Sequence, residues 1–310
     1  MSNLAPNFLV IGAAKCGTSA MYAILDEHPD IFMSPIKEPH YFAFAGMDNP
    51  GLEAPDGRPL TINEKAVTNK NKYLKLYSKA EGATARGECS VSTMFFADRS
   101  ISAIKEINPD MKIIAILRNP VDRAYSSFNH ARRWGIEREV DFMKAMEVED
   151  KSSTDAYPLL LRYKALSYYS KQLIPFYEGF GKSNIHVVIY DDYKDNPGKV
   201  IEAIFSFLGV DSAFKPALST ERNVSVVPDE NRALHRLLVN RGPIKKLIHW
   251  LLPWQMRRGI AYKIKRKLFK KPDKLSPEYR EKLTALFKDE INELEELLSI
   301  DLSFWKATDK

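Results

Sequence analysis

The sequence predicts an α/β fold, a mostly parallel central sheet flanked by helices on both faces and followed by a helical C-terminal extension. Three observations carry that expectation. Apolar runs of strand length (Phe8–Ile11, Lys112–Leu117, Ile185–Tyr190) alternate with longer segments of helical period. Two of these runs end in short turns that open directly onto a helix, Gly12 to Gly17 after the first and Arg118-Asn119-Pro120 after the second. Beyond Thr220 the strand pattern stops and only helical segments remain, at Glu230–Asn240, at Pro243–Lys271 with a break at Pro253, and at Pro277–Leu298. We therefore expect one domain over 1–310, with an α/β core over 1–225 and a helical extension over 226–310.

The elements justify themselves in order. Phe8, Leu9, Val10 and Ile11 have no polar face, as a strand buried on both sides requires. The helix that follows points Met21, Ile24 and Leu25 inward, with Thr18 and Ser19 as its expected caps. Ile31-Phe32-Met33 is a short extended run. The two prolines of Ser34-Pro35-Ile36-Lys37-Glu38-Pro39-His40 are expected to hold Glu38 extended. Met47–Pro59, rich in Gly and Pro, reads as a surface loop. Lys70–Lys79 is a helix, Ala83–Ser90 a strand, Ser100–Ile107 a helix, Val121–Trp134 a helix and Tyr157–Tyr177 a long aromatic helix. Pro197–Leu208 is a helix with Pro in its first turn and Gly209 after its last. In Pro277–Leu298, Leu283, Leu286, Phe287, Ile291, Leu294 and Leu298 form a core-facing stripe.

With 310 residues, 45% hydrophobic and 28% charged, the chain can bury a large core. Two cysteines, Cys16 and Cys89, are too few for a disulfide framework and read as free thiols. No uncharged apolar run approaches the roughly 18 residues of a membrane span. Lys15 interrupts the first apolar run, which no basic residue precedes, so a signal peptide is not expected and a cytoplasmic location is. The net charge of +6 is local. Residues 241–271 hold 11 of the 46 Lys and Arg and no acid, which leaves 35 against 40 Asp and Glu elsewhere. That distribution argues against a nucleic-acid binder charged throughout. It leaves a peripheral membrane or polyanion contact through 241–271, or a solvated helix face.

The Gly12–Ser19 loop is the first candidate site. A strand, a glycine-bracketed loop and a helix N-terminus direct backbone N–H groups and the positive end of the helix dipole at one point, where an anion is stabilised. In a P-loop nucleoside triphosphatase, Lys follows the second Gly. Here Lys15 lies inside a P-loop-like Gly12-Ala13-Ala14-Lys15-Cys16-Gly17-Thr18-Ser19.

These residues carry a resemblance to the sulfotransferases that use 3′-phosphoadenosine 5′-phosphosulfate (PAPS), within them to a bacterial branch related to the heparan-sulfate enzymes. Lys15-Cys16-Gly17-Thr18-Ser19 is similar to their 5′-phosphosulfate loop, and Glu38-Pro39-His40-Tyr41-Phe42 to their Glu-x-His-Phe-Phe. Arg118 and Ser126 resemble their 3′-phosphate pair, and Gly87-Glu88-Cys89-Ser90 the segment that usually reads Gly-Glu-Lys/Ala-Ser/Thr-Pro. Tyr169–Leu173, Tyr190–Tyr193 and Ile204–Val210 follow in the family's order, so the resemblance spans most of residues 7–225.

The resemblance implies sulfuryl transfer from PAPS to a hydroxyl or amine of a carbohydrate or other small-molecule acceptor, leaving 3′-phosphoadenosine 5′-phosphate (PAP), without a metal. Lys15 and the backbone N–H groups of Cys16, Gly17, Thr18 and Ser19 would meet the charge that grows on the leaving phosphate. Glu38 would be the general base, with His40 beside it as support or as the base itself. Arg118 and Ser126 would hold the 3′-phosphate, and Arg222 and Asn223 would close over the nucleotide. Cys89 stands where the heparan-sulfate enzymes carry a second Lys, and Val91 where they carry Pro. Tyr41, Phe42, Phe44, Phe95 and Phe96 are expected near the acceptor opening, and no oligomeric state is implied. Two other readings stay open: a small-molecule kinase using ATP and Mg²⁺, and a non-enzymatic anion- or membrane-binding adaptor working through 241–271.

Overall fold

In a computed structural model that describes residues 4–53, 59–151, 158–217, 227–228, 269–270 and 272–307, five strands form one all-parallel sheet. They are β1 (Phe8–Gly12), β2 (Ile31–Met33), β3 (Ala85–Cys89), β4 (Lys112–Leu117) and β5 (Ile185–Ile189), in the order β2-β3-β1-β4-β5. Every residue of β1 is buried, and so are all of β4 but its first, as expected of strands covered on both faces. A second, antiparallel pair of two-residue strands, β6 (Val227–Pro228) and β7 (Phe269–Lys270), adds strand where only helix is expected.

The helices between the strands are α1 (Thr18–Leu25), α2 (Tyr41–Phe44), α3 (Thr61–Lys65), α4 (Lys70–Lys75), α5 (Ser92–Phe95), α6 (Ala97–Ile107), α7 (Pro120–Arg133), α8 (Phe142–Asp150) and α9 (Tyr169–Phe180). After β5 come α10 (Tyr190–Asp195) and α11 (Pro197–Leu208), and near the C-terminus α12 (Pro277–Leu286) and α13 (Lys288–Leu298). Asn119 caps α7 by accepting from the N–H groups of Val121 and Asp122, and Gly209 ends α11 in the left-handed conformation.

Four local expectations need correction. The helix expected over Tyr157–Tyr177 is two 3-10 turns, Leu159–Leu161 and Ala165–Ser167, followed by α9. The chain turns there because Tyr163 and Ser167 pack against the buried Arg123, whose guanidinium donates to Ser167 Oγ and the Tyr163 carbonyl. The last helix is interrupted at Phe287, which leaves Leu286 exposed instead of in the stripe. Tyr41, Phe42 and Phe44 are core residues; Tyr41 stacks on Tyr73 with ring centroids 4.2 Å apart. Thr18 and Ser19 do not cap α1, whose N-cap is Gly17 with no side-chain bond.

The C-terminal helices dock on the core through polar contacts. Arg280 pairs with Asp122 on α7 at 2.7 Å, and Glu290 accepts from the Ser170 N–H and hydroxyl on α9. The fully buried Trp305 donates to Asp191, and its carbonyl accepts from Asn119. No helix among the described residues is long and apolar enough to cross a membrane. Apart from Phe269 and Lys270, the expected helices within 230–271 lie outside the described residues.

Candidate active site

In a parallel sheet all carboxyl ends share one edge. β1 and β4 are neighbours whose onward connections run to opposite sides, the position at which such folds open a crevice for ligands. Lys15 follows β1, Glu38 and His40 follow β2, Ser90 follows β3, Arg118 follows β4 and Tyr190 follows β5. The topology thus brings every predicted side chain within the described residues to one edge, apart from Ser126, two turns into α7 and partly buried.

Backbone conformation marks the same place. Among the described residues four non-glycine residues have positive φ, and three of them are Lys15 (72°), Glu38 (59°) and His40 (56°). Each costs of order 1–3 kcal/mol and persists where surrounding structure over-determines it. The proline-bounded segment is therefore not extended at Glu38. Its backbone is tied down instead: Ser34 N–H donates to the Gly87 carbonyl, Glu38 N–H to that of Cys89 and His40 N–H to Ser90 Oγ. Gly17, at φ 93°, lies so close to Tyr190 that a Cβ there would meet the ring at 3.0 Å.

On the β1–β4 side, Lys15 Nζ lies 3.2 Å from His130 Nδ1 on α7. Burial pulls the ammonium down to about 8, and repulsion from Arg118 and Arg133 adds to the shift. Burial, with Lys15 and Arg133 nearby, pulls His130 down to about 4, so its neutral ring accepts from the ammonium. The Arg118 guanidinium rests over the Tyr190 ring, 5.1 Å from its centroid. Sequence reasoning missed His130; its place one turn beyond Ser126 on the same helix is the signal that could have found it.

On the β2–β3 side, the Glu38 carboxylate is 2.6 Å from Lys37 Nζ through one oxygen and 3.5 Å from His40 Nε2 through the other. The Glu38 side chain is 30% exposed and that of His40 9%, so Glu38 is the one that can meet an incoming molecule. Burial holds His40 down near 4, with its Nδ1 hydrogen-bonded to Ser92 Oγ at 2.8 Å. Ser90 is used internally, donating to Glu88 at 2.6 Å. Burial pushes the Glu88 carboxyl up to about 8 and the Cys89 thiol to about 12, so neither is charged at neutral pH. Cys16 is likewise buried and its thiol pushed up by burial. Where position 89 offers no cation, Lys37 acts on Cys89, Glu88 and Glu38 from the neighbouring segment.

Phe95 and Phe96, the other expected acceptor-side aromatics, are partly buried and pack against a small apolar cluster that includes Ala14, the neighbour of Lys15. Arg222 and Asn223 lie outside the described residues.

The arrangement can hold an anion between Lys15, Arg118 and the α1 N-terminus while a carboxylate faces the same opening. The chain is 26% identical over 251 residues to human carbohydrate sulfotransferase 15, covering 66% of this chain and 44% of that protein. It is 24% identical over 208 residues to human bifunctional heparan sulfate N-deacetylase/N-sulfotransferase 2, covering 66% of this chain and 22% of that one. The chain thus spans less than half the length of these relatives. A sulfotransferase crystal structure from Alicyclobacillus acidocaldarius superposes with a TM-score of 0.73 at 27% identity, covering 97% of this chain and 99% of that one. Residues 5–227 match the family model for the sulfotransferase domain, and the chain belongs to that family.

Proposed function

We propose that the protein transfers a sulfuryl group from PAPS to a hydroxyl or amine of a carbohydrate or other small-molecule acceptor. The observation that carries this reading is the cluster of Lys15, Arg118 and Arg133 beside the β1–β4 crevice, where burial, with repulsion from the two arginines, depresses the Lys15 ammonium. An anion between them would reverse that shift, and the nucleotide carries phosphates of the required charge. The loop's N–H groups supply further donors, and Gly17 lets the loop pack against the Tyr190 ring.

Within this reading each side chain has a distinct task. Lys15 places positive charge at the bridging oxygen as the phosphate leaves, a contribution typically worth ~10²–10³ in rate. His130 keeps the ammonium aimed before the donor arrives. Arg118 and Ser126 take the 3′-phosphate, the guanidinium pre-set on Tyr190 so that little rotamer freedom is lost on binding. Glu38 accepts the proton of the acceptor as it attacks. His40, neutral, buried and bonded to Ser92, orients Glu38 and is not itself the base. Arg222 and Asn223 are assigned to the nucleotide on sequence grounds alone.

The kinase reading has less support, because Lys15 is not at the Walker position and the family is one of sulfotransferases. Thermal unfolding separates the two. PAP at about 100 times its Kd should stabilise the protein by ~2.7 kcal/mol, ATP with Mg²⁺ should do far less, and Arg118→Ala should lose most of the PAP effect. Equal stabilisation of wild type and Arg118→Ala by PAP would remove the 3′-phosphate assignment.

A further inference from the structure

β4 and β5 lie side by side, and each reaches the site through the residue that follows it, Arg118 after Leu117 and Tyr190 after Ile189. One step further along both chains, the same residue of the C-terminal tail takes hold. Trp305, fully buried in a 3-10 turn (Ser303–Trp305), donates from its indole Nε1 to the Asp191 carboxylate at 2.9 Å, and its carbonyl accepts from Asn119 Nδ2 at 3.0 Å. The Asn119 amide is fixed at its other end too, since its Oδ1 accepts from the N–H groups of Val121 and Asp122 at the start of α7. Trp305 thus bridges the ends of β4 and β5.

The residues just before the two bridged positions are the stacked pair, the Arg118 guanidinium over the Tyr190 ring with 5.1 Å to its centroid. Such a stack holds only while the two strand ends keep their relative placement. The bridge is itself anchored: Glu295 on α13 accepts from the Leu302 N–H at 2.8 Å and from the Lys306 ammonium at 2.6 Å, on either side of the turn. Apolar packing would be served by any large ring at position 305, whereas the bond from an indole N–H to a carboxylate is directional and charge-assisted. Trp305 also lies beyond residues 5–227, which match the family model.

We propose that Trp305 is a positioning residue for nucleotide selection: by fixing Asn119 and Asp191 it sets the Arg118–Tyr190 stack in the geometry that recognises a 3′-phosphate. The proposal rests on the sulfotransferase reading, which gives Arg118 that phosphate. A misplacement of about 1 Å is enough to cost a bidentate contact much of its value.

Calorimetric titration of the full chain with PAP and with adenosine 5′-monophosphate (AMP), which differs from PAP only in lacking the 3′-phosphate, tests it. Wild type should bind PAP at least about tenfold tighter than AMP. Trp305→Phe keeps a ring in the core but removes the donor, and it should weaken PAP about fivefold while leaving AMP affinity unchanged, which also reports that the variant folds. Asp191→Asn, which keeps the side-chain size and leaves the tail's own sequence intact, should lose a smaller part of the same preference and carries the test if Trp305→Phe does not fold. In an Arg118→Gln background Trp305→Phe should cost no further PAP affinity, because the guanidinium it positions is gone. Variants that keep the wild-type preference, equal losses for PAP and AMP, or an undiminished loss in the Arg118→Gln background would overturn the proposal alone. A wild type that binds PAP no better than AMP would remove the 3′-phosphate assignment of the sulfotransferase reading, and the proposal with it.

Discussion

The two sides of the crevice solve opposite electrostatic problems. Beside β1 and β4, cations crowd together and Lys15 is held short of its ordinary basicity, with a neutral His130 as its nearest partner. Beside β2 and β3, carboxyl groups gather instead: Glu88 is neutral at pH 7, and Glu38 is bonded to Lys37 and set against His40. The first side gains from an added anion. The second already pairs its partly exposed carboxylate, Glu38, with Lys37, so it is not expected to gain from an added anion. Substitutions should therefore act on nucleotide affinity on one side and on turnover on the other.

The largest effect tests that division directly. Glu38→Gln keeps size and polarity but cannot take a proton, so turnover should fall by ~10²–10⁴ with PAP affinity near wild type. His40→Gln should cost less, since its role is to orient Glu38, and steady-state kinetics with calorimetric PAP titration would show both. If His40→Gln abolishes turnover while Glu38→Gln leaves most of it, the base is the histidine and the assignments exchange.

How far the site could be read from sequence differs between the two sides for a physical reason. Lys15 and Arg118 sit at strand-to-helix junctions, and apolar runs ending in glycine or proline mark such junctions from local pattern alone. The five strands and most helices were readable on the same basis. The position of Glu38 just after a strand is legible locally, but its left-handed backbone is not, because Cys89 and Ser90, some 50 positions away, impose it through hydrogen bonds. His130 escaped for the same cause: a histidine on a helix acquires meaning only when Lys15, 115 positions earlier, is folded onto it. The break between Tyr157 and Tyr177 likewise depends on the buried Arg123, which no periodicity reveals.

A smaller effect, on stability, sharpens the account of the β2–β3 side. Glu88 titrates near 8 in the fold against 4.5 when exposed, and its Oε1 has no hydrogen-bond partner among the described residues, as suits a neutral carboxyl. A raised carboxyl pKa means that the stability associated with this group is complete below about 4.5. It is lost as pH rises toward 8 and is level beyond. Glu88→Gln carries a pH-independent packing cost but removes this slope. Denaturant titrations from pH 5 to 9 should show wild type losing up to a few kcal/mol relative to the variant. Parallel curves would mean that Glu88 is ionised in the fold and that Lys37 compensates it.

The smallest effect is a fraction of a proton, and it tests the β1–β4 side without touching turnover. With its ammonium near 8, Lys15 is about half protonated at pH 8 in the free protein. A bound polyanion beside it favours the charged form, so PAP binding at pH 8 should take up roughly half a proton. At pH 6.5 Lys15 is charged before and after binding, so its share of the uptake should vanish. Phosphate groups, with a second pKa near 6, are fully ionised at pH 8 and contribute little there. Calorimetry in buffers of different ionisation enthalpy gives the number of protons directly, and Lys15→Ala should bring it to zero at pH 8. Uptake that is absent in wild type, or that survives in Lys15→Ala, would mean that the depressed ammonium is not the group that meets the nucleotide. The cation cluster would then have to be read as a structural feature of the β1–β4 junction alone.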